Sequence, residues 1–214
     1  MKELASKHYD KKYFERQSPI GEFGGWANQT KFLNYIGSNS HVLDFGCGGG
    51  FLLASLQCAK KVGVEVNPSA AEVAKSKGIE VYSSVAEVPD DYVDVIISDN
   101  ALEHTLHPLE ELKLLHRKLK KGGKIIFVVP CESISHHYKP NDINHHLYSW
   151  SPMCLGNLFS EAGFQVIESK PYIHKWPPKY HLIAKLGRTF FEIACRIYGR
   201  IERSWFQVRI VAEK

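Results

Sequence analysis

The chain has 214 residues and a net charge of +4, with 27 lysines and arginines against 23 aspartates and glutamates. That length fits one domain, and the charge excess is too small and too dispersed to imply a nucleic-acid partner. No apolar run is long enough to cross a bilayer, the polar start Met1–His8 lacks a secretion signal, and the cysteines at 47, 58, 131, 154 and 195 show no Cys-x-x-Cys spacing; a cytoplasmic protein with reduced thiols is expected, with neither a disulfide framework nor a structural zinc.

Residues 1–38 carry the aromatics Tyr9, Tyr13, Phe14, Phe23 and Trp26, the last two flanking Gly24-Gly25, and precede the regular pattern. From residue 41 short β-branched runs alternate with helical stretches, the signature of a parallel sheet built from strand–helix–strand units. Strands are predicted at His41–Phe45, Val62–Val66, Ile79–Ser83, Val93–Ser98 and Lys124–Val129, most of them near-continuous apolar runs of the kind covered on both faces. Helices are predicted at Phe51–Leu56, from Pro68 to a stop at Gly78, and after Pro108 over Leu109–Leu119. In the last of these Glu110 and Glu111 open the segment and Lys118, Lys120 and Lys121 close it before Gly122-Gly123, complementing the helix dipole. A polar loop from Glu132 to Ser149 leads to a helix over Pro152–Ala162 stopped by Gly163, a strand near Phe164–Ser169, a basic amphipathic stretch Lys179–Ser204 introduced by Pro177-Pro178, and a last strand Trp205–Ala212.

The segment Val42-Leu43-Asp44-Phe45-Gly46-Cys47-Gly48-Gly49-Gly50 ends a strand and opens a helix, so its glycines fall at the carboxyl edge of the sheet, where such folds bind ligands. No Lys-Ser or Lys-Thr follows, which removes the anchor of a triphosphate loop, and Phe51 stands where a dinucleotide fingerprint counted from Gly46 would need its third glycine. Asp44 is the sharper clue: a carboxylate there accepts hydrogen bonds from an ammonium group and repels a pyrophosphate. Glu65 follows at the next strand end, about twenty residues after the loop begins, the separation at which an acidic side chain takes ribose hydroxyls.

Val42-Leu43-Asp44, the glycine run, the acidic end of the second strand, Val93-Asp94-Val95-Ile96-Ile97, Ala101-Leu102-Glu103-His104 and Leu119-Lys120-Lys121-Gly122-Gly123-Lys124 together resemble the class I S-adenosylmethionine-dependent methyltransferases over roughly residues 40 to 172. The resemblance implies an α/β fold: a seven-stranded, mostly parallel, doubly wound sheet of order 3-2-1-4-5-7-6, the last strand antiparallel and helices on both faces. In a single methyltransferase domain, residues 1–38 would form a helical lid, 39–172 the cofactor-binding core, 173–204 an amphipathic helical insertion and 205–213 the final strand. S-adenosylmethionine would be the cofactor and S-adenosylhomocysteine the product. Gly46, Cys47, Gly48 and Gly50 would approach the methionine and ribose parts, with Asp44 at the amino end, Glu65 on the ribose, Val66 and Asn67 along the adenosine edge, Ser84 and Val85 at the adenine, and Asn100 beneath the methyl group. Where relatives often carry an acidic residue after the third strand, this chain has Ser83-Ser84-Val85-Ala86-Glu87.

Methyl transfer from a sulfonium is a direct displacement that needs alignment and, for an alcohol acceptor, benefits from a base. His104 after the fourth strand and His146 in Asn144-His145-His146-Leu147-Tyr148-Ser149-Trp150 are the candidate catalytic residues, set against packing roles for both and against Ser151 as a plain helix cap. The histidine doublets lack helical ligand spacing, and no metal is expected. The expected partner is a small-molecule or glycan acceptor, methylated on a hydroxyl oxygen; an NAD-dependent oxidoreductase and a non-catalytic S-adenosylmethionine-binding regulator are the alternatives. The stretch 180–203 sets Leu182, Ile183, Leu186, Phe190, Ile193, Ala194, Ile197 and Ile201 at helical spacing among Lys179, Lys185, Arg188, Arg196, Arg200 and Arg203; this apolar face has three candidate destinations, its own domain, an anionic membrane or a second subunit.

Overall fold

Period-2 alternation along buried strands divides their side chains between two core layers, one on each face of a sheet. The computed structural model describes residues 11–140 and 142–214, with side chains from Ser18 onward. Its strands are β1 (His41–Phe45), β2 (Lys60–Val64), β3 (Glu80–Tyr82), β4 (Val93–Asp99), β5 (Leu119–Glu132), β6 (Gln165–Tyr172) and β7 (Trp205–Glu213), in the order β3-β2-β1-β4-β5-β7-β6. β7 runs antiparallel to both its neighbours, and the pairings from β3 through β5 are parallel. This is the expected doubly wound arrangement.

The helices are α1 (Lys11–Asn28), α2 (Phe51–Ser55), α3 (Pro68–Ser76), α4 (Pro108–Lys118), α5 (Pro152–Glu161), α6 (Tyr180–Ala184) and α7 (Arg188–Ile201). Leu43, Phe45, Ile96, Ile125 and Phe127 meet Leu112 and Leu115 of α4 and Leu155 and Phe159 of α5 in one core layer. The alternate residues Val42, Val95, Ile97, Ile126 and Val128 meet Leu53 of α2 and Ala74 of α3 in the other. Phe127 anchors the first layer, its ring centroid 5.9 Å from Phe45 and 5.6 Å from Phe159.

Several boundaries differ from the sequence reading for reasons of pairing. β2 begins at Lys60 because Lys60 and Lys61 register with His41 and Val42, and it ends at Val64, so Glu65 stands just past the strand. β5 starts directly at the end of α4: Leu119 pairs with Val93 and Lys124 with Val95, so the Gly122-Gly123 segment bulges from the strand instead of linking helix to strand. Asp94 ties this region together, accepting from the His41 amide at 2.8 Å and pairing with Lys120 at 2.8 Å. Lys179–Ser204 forms two helices, not one, broken at Gly187, whose φ of 102° lies outside the range of helical L-residues.

Helix α1 meets the C-terminal helices. Gly25 of α1 lies so close to α2 that a Cβ there would stand 2.6 Å from the Phe51 carbonyl oxygen. Ala27, Phe191 and Cys195 form a third small core with Phe23, Trp26, Trp176 and Tyr180 around them. Phe23 and Trp26 therefore pack against the C-terminal helices. Tyr9 lies outside the described residues, as do the side chains of Tyr13 and Phe14. The apolar face read from the sequence points away from this core: α7 buries Phe191, Cys195 and Gly199, while Leu182, Leu186, Phe190, Ile193, Ile197 and Ile201 are each more than half exposed. Among the described residues no helix is long and apolar enough to cross a membrane.

Replacing Phe127 by Ala should destabilise the chain by about 3–5 kcal/mol, because the flanking rings cannot close the space it leaves. Urea unfolding measures this, and a loss under about 1 kcal/mol would show that the layer is not anchored there.

Candidate active site

The glycine loop is built from the ends of two neighbouring strands. Both the Gly46 and Cys47 amides donate to the Val64 carbonyl, at 2.9 and 3.1 Å, which turns the chain away from β1 at the level where β2 ends. Gly46 and Gly48 hold φ of 78° and 52°, values that glycine tolerates without strain. Glu65 then fixes the loop: its Oε2 accepts from the Gly48 amide at 2.7 Å and its Oε1 from the Asn67 amide at 2.8 Å. Asn67 in turn caps α3, its Oδ1 accepting from Ser69 at 2.9 Å and Ala70 at 3.4 Å.

A cavity of about 1000 Å³ opens over this loop, ample for a nucleoside-sized ligand. Asp44, Gly46, Cys47, Gly48, Glu65, Val66, Asn67, Ser84, Val85, Asn100, His104 and His146 all line it. Gly50 does not: it faces α3, where a Cβ would stand 2.4 Å from Ile79 Cδ1 and 3.0 Å from Ala74 Cβ, so its role is helix packing and not approach to a ligand. Glu87, beyond Ser84 and Val85, is occupied locally, accepting from the Ser83 amide and hydroxyl at 3.0 and 2.7 Å. The N-terminal helix lines the cavity through Ile20, Gly21, Gly24, Gly25 and Asn28, and the aromatic lining residues are Phe45, Phe51, Trp176, Trp205 and Phe206.

The floor is lined by carboxyl groups. Asp44, buried at the end of β1, accepts no hydrogen bond among the described residues. Burial first, and then the charges of Asp99 and Glu65, hold its carboxyl well above the usual carboxylate range. Burial also raises Glu65, against the lowering effect of the amides it accepts. Asp99 is neutralised by the buried Lys31, with contacts of 2.8 and 2.9 Å to its two oxygens. Asn100, at φ 58°, donates to Asp99 at 3.0 Å and accepts from Gln207 at 3.1 Å. Lys31, Gln207 and Trp176 were not singled out in the sequence; they come from segments outside the glycine-loop motif and carry no local signal.

On the wall beyond β4 the two candidate histidines converge. The Glu103 carbonyl accepts from the Leu147 and Tyr148 amides at 2.9 and 3.3 Å, docking the histidine loop onto the turn Leu102–His104. The rings of His104 and His146 then lie 5.0 Å apart, and His146 Nδ1 is 2.7 Å from Glu132 Oε1. The same loop also fulfils its packing roles, with Trp150 buried, Tyr148 stacked on it and Ser151 capping α5. The Glu103 side chain is fully buried and both its oxygens lack a hydrogen-bond donor among the described residues. Burial pushes its carboxyl up to about 8, against the lowering effect of its own backbone amide; the charges of Asp99 and Glu132 raise it further and Lys31 opposes.

A cavity whose floor holds the carboxyl of Asp44 without a hydrogen-bond donor among the described residues fits a ligand that carries an ammonium and a sulfonium, which would supply positive charge there. With the strand order, the glycine loop and this floor, the chain is a class I S-adenosylmethionine-dependent methyltransferase, and S-adenosylmethionine is its cofactor. The profile of the methyltransferase-domain family matches residues 22–169, and the chain belongs to that family.

A search of curated proteins returns no match. Among solved structures, a chain of the complex between a Haloferax volcanii methyltransferase activator and a candidate methyltransferase is similar at 19% identity and a TM-score of 0.71, covering 97% of this chain and 96% of that one. A methyltransferase from Archaeoglobus fulgidus is similar at 20% identity and a TM-score of 0.65, covering 94% and 99%. A Haemonchus contortus phosphoethanolamine N-methyltransferase, in complex with phosphomonomethylethanolamine and S-adenosylhomocysteine, is similar at 15% identity and a TM-score of 0.63, covering 89% of this chain and 53% of that one. At these identities the likeness is one of fold.

Because Glu65 satisfies two loop amides, Glu65→Ala should lower the stability of the ligand-free chain by roughly 1.5–3 kcal/mol. Urea unfolding at neutral pH reads it, and an unchanged midpoint would contradict a structural role for this carboxylate.

Proposed function

We propose that the chain transfers the methyl group of S-adenosylmethionine to a hydroxyl oxygen of a small-molecule or glycan acceptor. The observation that carries the reading is the cavity itself, which has cation-seeking carboxylates at one end and a histidine cluster at the other. S-adenosylmethionine supplies a methyl on a sulfonium: as the acceptor oxygen bonds to that carbon, the sulfur–carbon bond breaks with its electron pair left on sulfur, giving S-adenosylhomocysteine.

In this reading Asp44 holds the ammonium, Gly46, Cys47 and Gly48 present the loop backbone to the methionine part, and Glu65 takes the ribose with the lone pairs its two amides leave free. Val66 and Asn67 border the adenosine, Ser84 and Val85 its base, and Asn100 the methyl region. His146 and His104 engage the acceptor hydroxyl, which loses its proton as the new bond forms. The oxidoreductase alternative is disfavoured on physical grounds, since Asp44 would repel a pyrophosphate and Phe51 stands where a dinucleotide fingerprint needs its third glycine.

Incubation of the chain with methyl-labelled S-adenosylmethionine and cell extract should label a small-molecule or glycan fraction, in a bond stable to the alkali that cleaves esters. His146→Gln should reduce the label at least about tenfold while cofactor affinity stays close to that of the unmodified chain. Cofactor binding without any transfer would favour the regulatory alternative, and label confined to nitrogen would overturn the hydroxyl assignment.

We place the enzyme in the cytoplasm, in peripheral contact with an anionic membrane. Support comes from the exposed stripe Leu186, Phe190, Ile193, Ile197 and Ile201 beside Arg196, Arg200 and Arg203. Apolar insertion with a basic flank suits an anionic bilayer, whereas two copies facing each other would oppose their arginines. The chain should sediment with phosphatidylglycerol vesicles and not with phosphatidylcholine alone, and Ile197→Glu should release it. A stable dimer in light scattering with no vesicle binding would assign the stripe to a second subunit.

A further inference from the structure

The Glu103 carboxylate poses a problem that the methyl-transfer reading does not solve. It is fully buried, neither oxygen accepts a hydrogen bond among the described residues, and His104 Nε2 stands 3.8 Å from Oε1, beyond hydrogen-bond reach. A buried carboxyl without a donor is costly to ionise unless a cation meets it. Lys31, the nearby buried cation, is engaged with Asp99.

Two imidazoles close the arrangement. One ligand atom each from Glu103, His104 and His146 lie within 4.8 Å of one another. A first-row ion at about 2.1 Å from each ligand needs them roughly 3.4 Å apart, so the cluster has to contract by up to about 1.4 Å, within reach of side-chain rotation. His146 also has the outer support of a metal ligand: its Nδ1 is bonded to Glu132 Oε1 at 2.7 Å, which orients the ring and leaves Nε2 to coordinate, the usual carboxylate–histidine–metal relay. The backbone bonds from Leu147 and Tyr148 to the Glu103 carbonyl hold the two loops together at this point.

We propose that Glu103, His104 and His146 form a binding site for a divalent transition-metal ion, supported by Glu132, on the acceptor side of the cavity. The two imidazoles select an ion such as Zn²⁺ or Co²⁺ over Mg²⁺ or Ca²⁺, which prefer all-oxygen ligands. Three protein ligands leave a position open, and His104 and His146 both line the cavity, so that position faces the space assigned to the acceptor. An acceptor hydroxyl bound there gives up its proton to solvent more readily, so the two histidines act on the acceptor through the ion. That role rests on the methyl-transfer reading; the site itself does not.

The test uses the full chain without a histidine tag, stripped by chelator and dialysed. Titration with Co²⁺ should give one ion per chain with visible absorption bands, displaced by Zn²⁺. Glu103→Gln and His146→Gln should each weaken uptake by at least about tenfold, and Glu132→Gln by about 10–100-fold, with the circular dichroism of the folded chain retained. Chelation should suppress methyl transfer and Co²⁺ should restore it. Failure of the unmodified chain to take up either ion, or variants that bind as tightly as the unmodified chain, would overturn the site; transfer insensitive to chelation would overturn its role. Calorimetry with S-adenosylmethionine on the same samples separates the two readings: cofactor binding without metal uptake sinks the metal site alone, and absence of cofactor binding sinks the methyl-transfer reading while the Co²⁺ titration still decides the site.

Discussion

Three carboxylates reach the carboxyl ends of adjacent strands β1, β2 and β4, and what neutralises each of them organises the cavity. Asp99 has Lys31, Glu65 has the amides of Gly48 and Asn67, and Asp44 has no hydrogen-bond donor among the described residues. The parallel sheet forces this convergence, because strands of one direction deliver all their C-terminal side chains to one edge. Burial and acidic neighbours thereby favour the uncharged form of Asp44, and the glycine loop is held by a carboxylate of the same set.

Opposite that floor, the histidine-bearing wall, proposed to face the acceptor, is assembled from parts far apart in sequence. The turn after β4 contributes Glu103 and His104, β5 ends in Glu132, and the following loop returns His146 because its amides dock on the Glu103 carbonyl. The C-terminal helices lean on α1 through Phe23, Trp176 and Phe191 and leave their other apolar stripe outside. The glycine loop and the histidine-bearing wall both line the cavity that Trp176 and Trp205 border, and the exposed apolar stripe lies outside it.

The sequence made the sheet legible because each strand is a short apolar run and each intervening helix carries its own start and stop residues. Asp44, the loop glycines and Glu65 were legible because they follow strand ends at fixed spacing. Gly50 was misassigned: a glycine required for packing against Ile79 and a glycine required for ligand approach look alike in a sequence. The amphipathic helical stretch expected over 179–204 is broken at Gly187, and its apolar stripe turned outward because a second set, Phe191, Cys195 and Gly199, faces the core. The Glu103–His104–His146 cluster was invisible to rules of ligand spacing, since two loops bring it together and no one helix holds it.

The central claim is that the unneutralised floor selects a sulfonium cofactor through Asp44. Isothermal calorimetry of the unmodified chain and of Asp44→Asn, with S-adenosylmethionine and with NAD across pH, tests it most directly. The ionised carboxylate is the binding form and its pKa is raised, so affinity for S-adenosylmethionine should be full at alkaline pH and should fall on acidification at a higher pH than an ordinary carboxylate would require. Asp44→Asn should bind weakly and lose that pH dependence, and NAD should not bind. Micromolar affinity for NAD with none for S-adenosylmethionine, or an Asp44→Asn variant indistinguishable from the unmodified chain, would contradict the account.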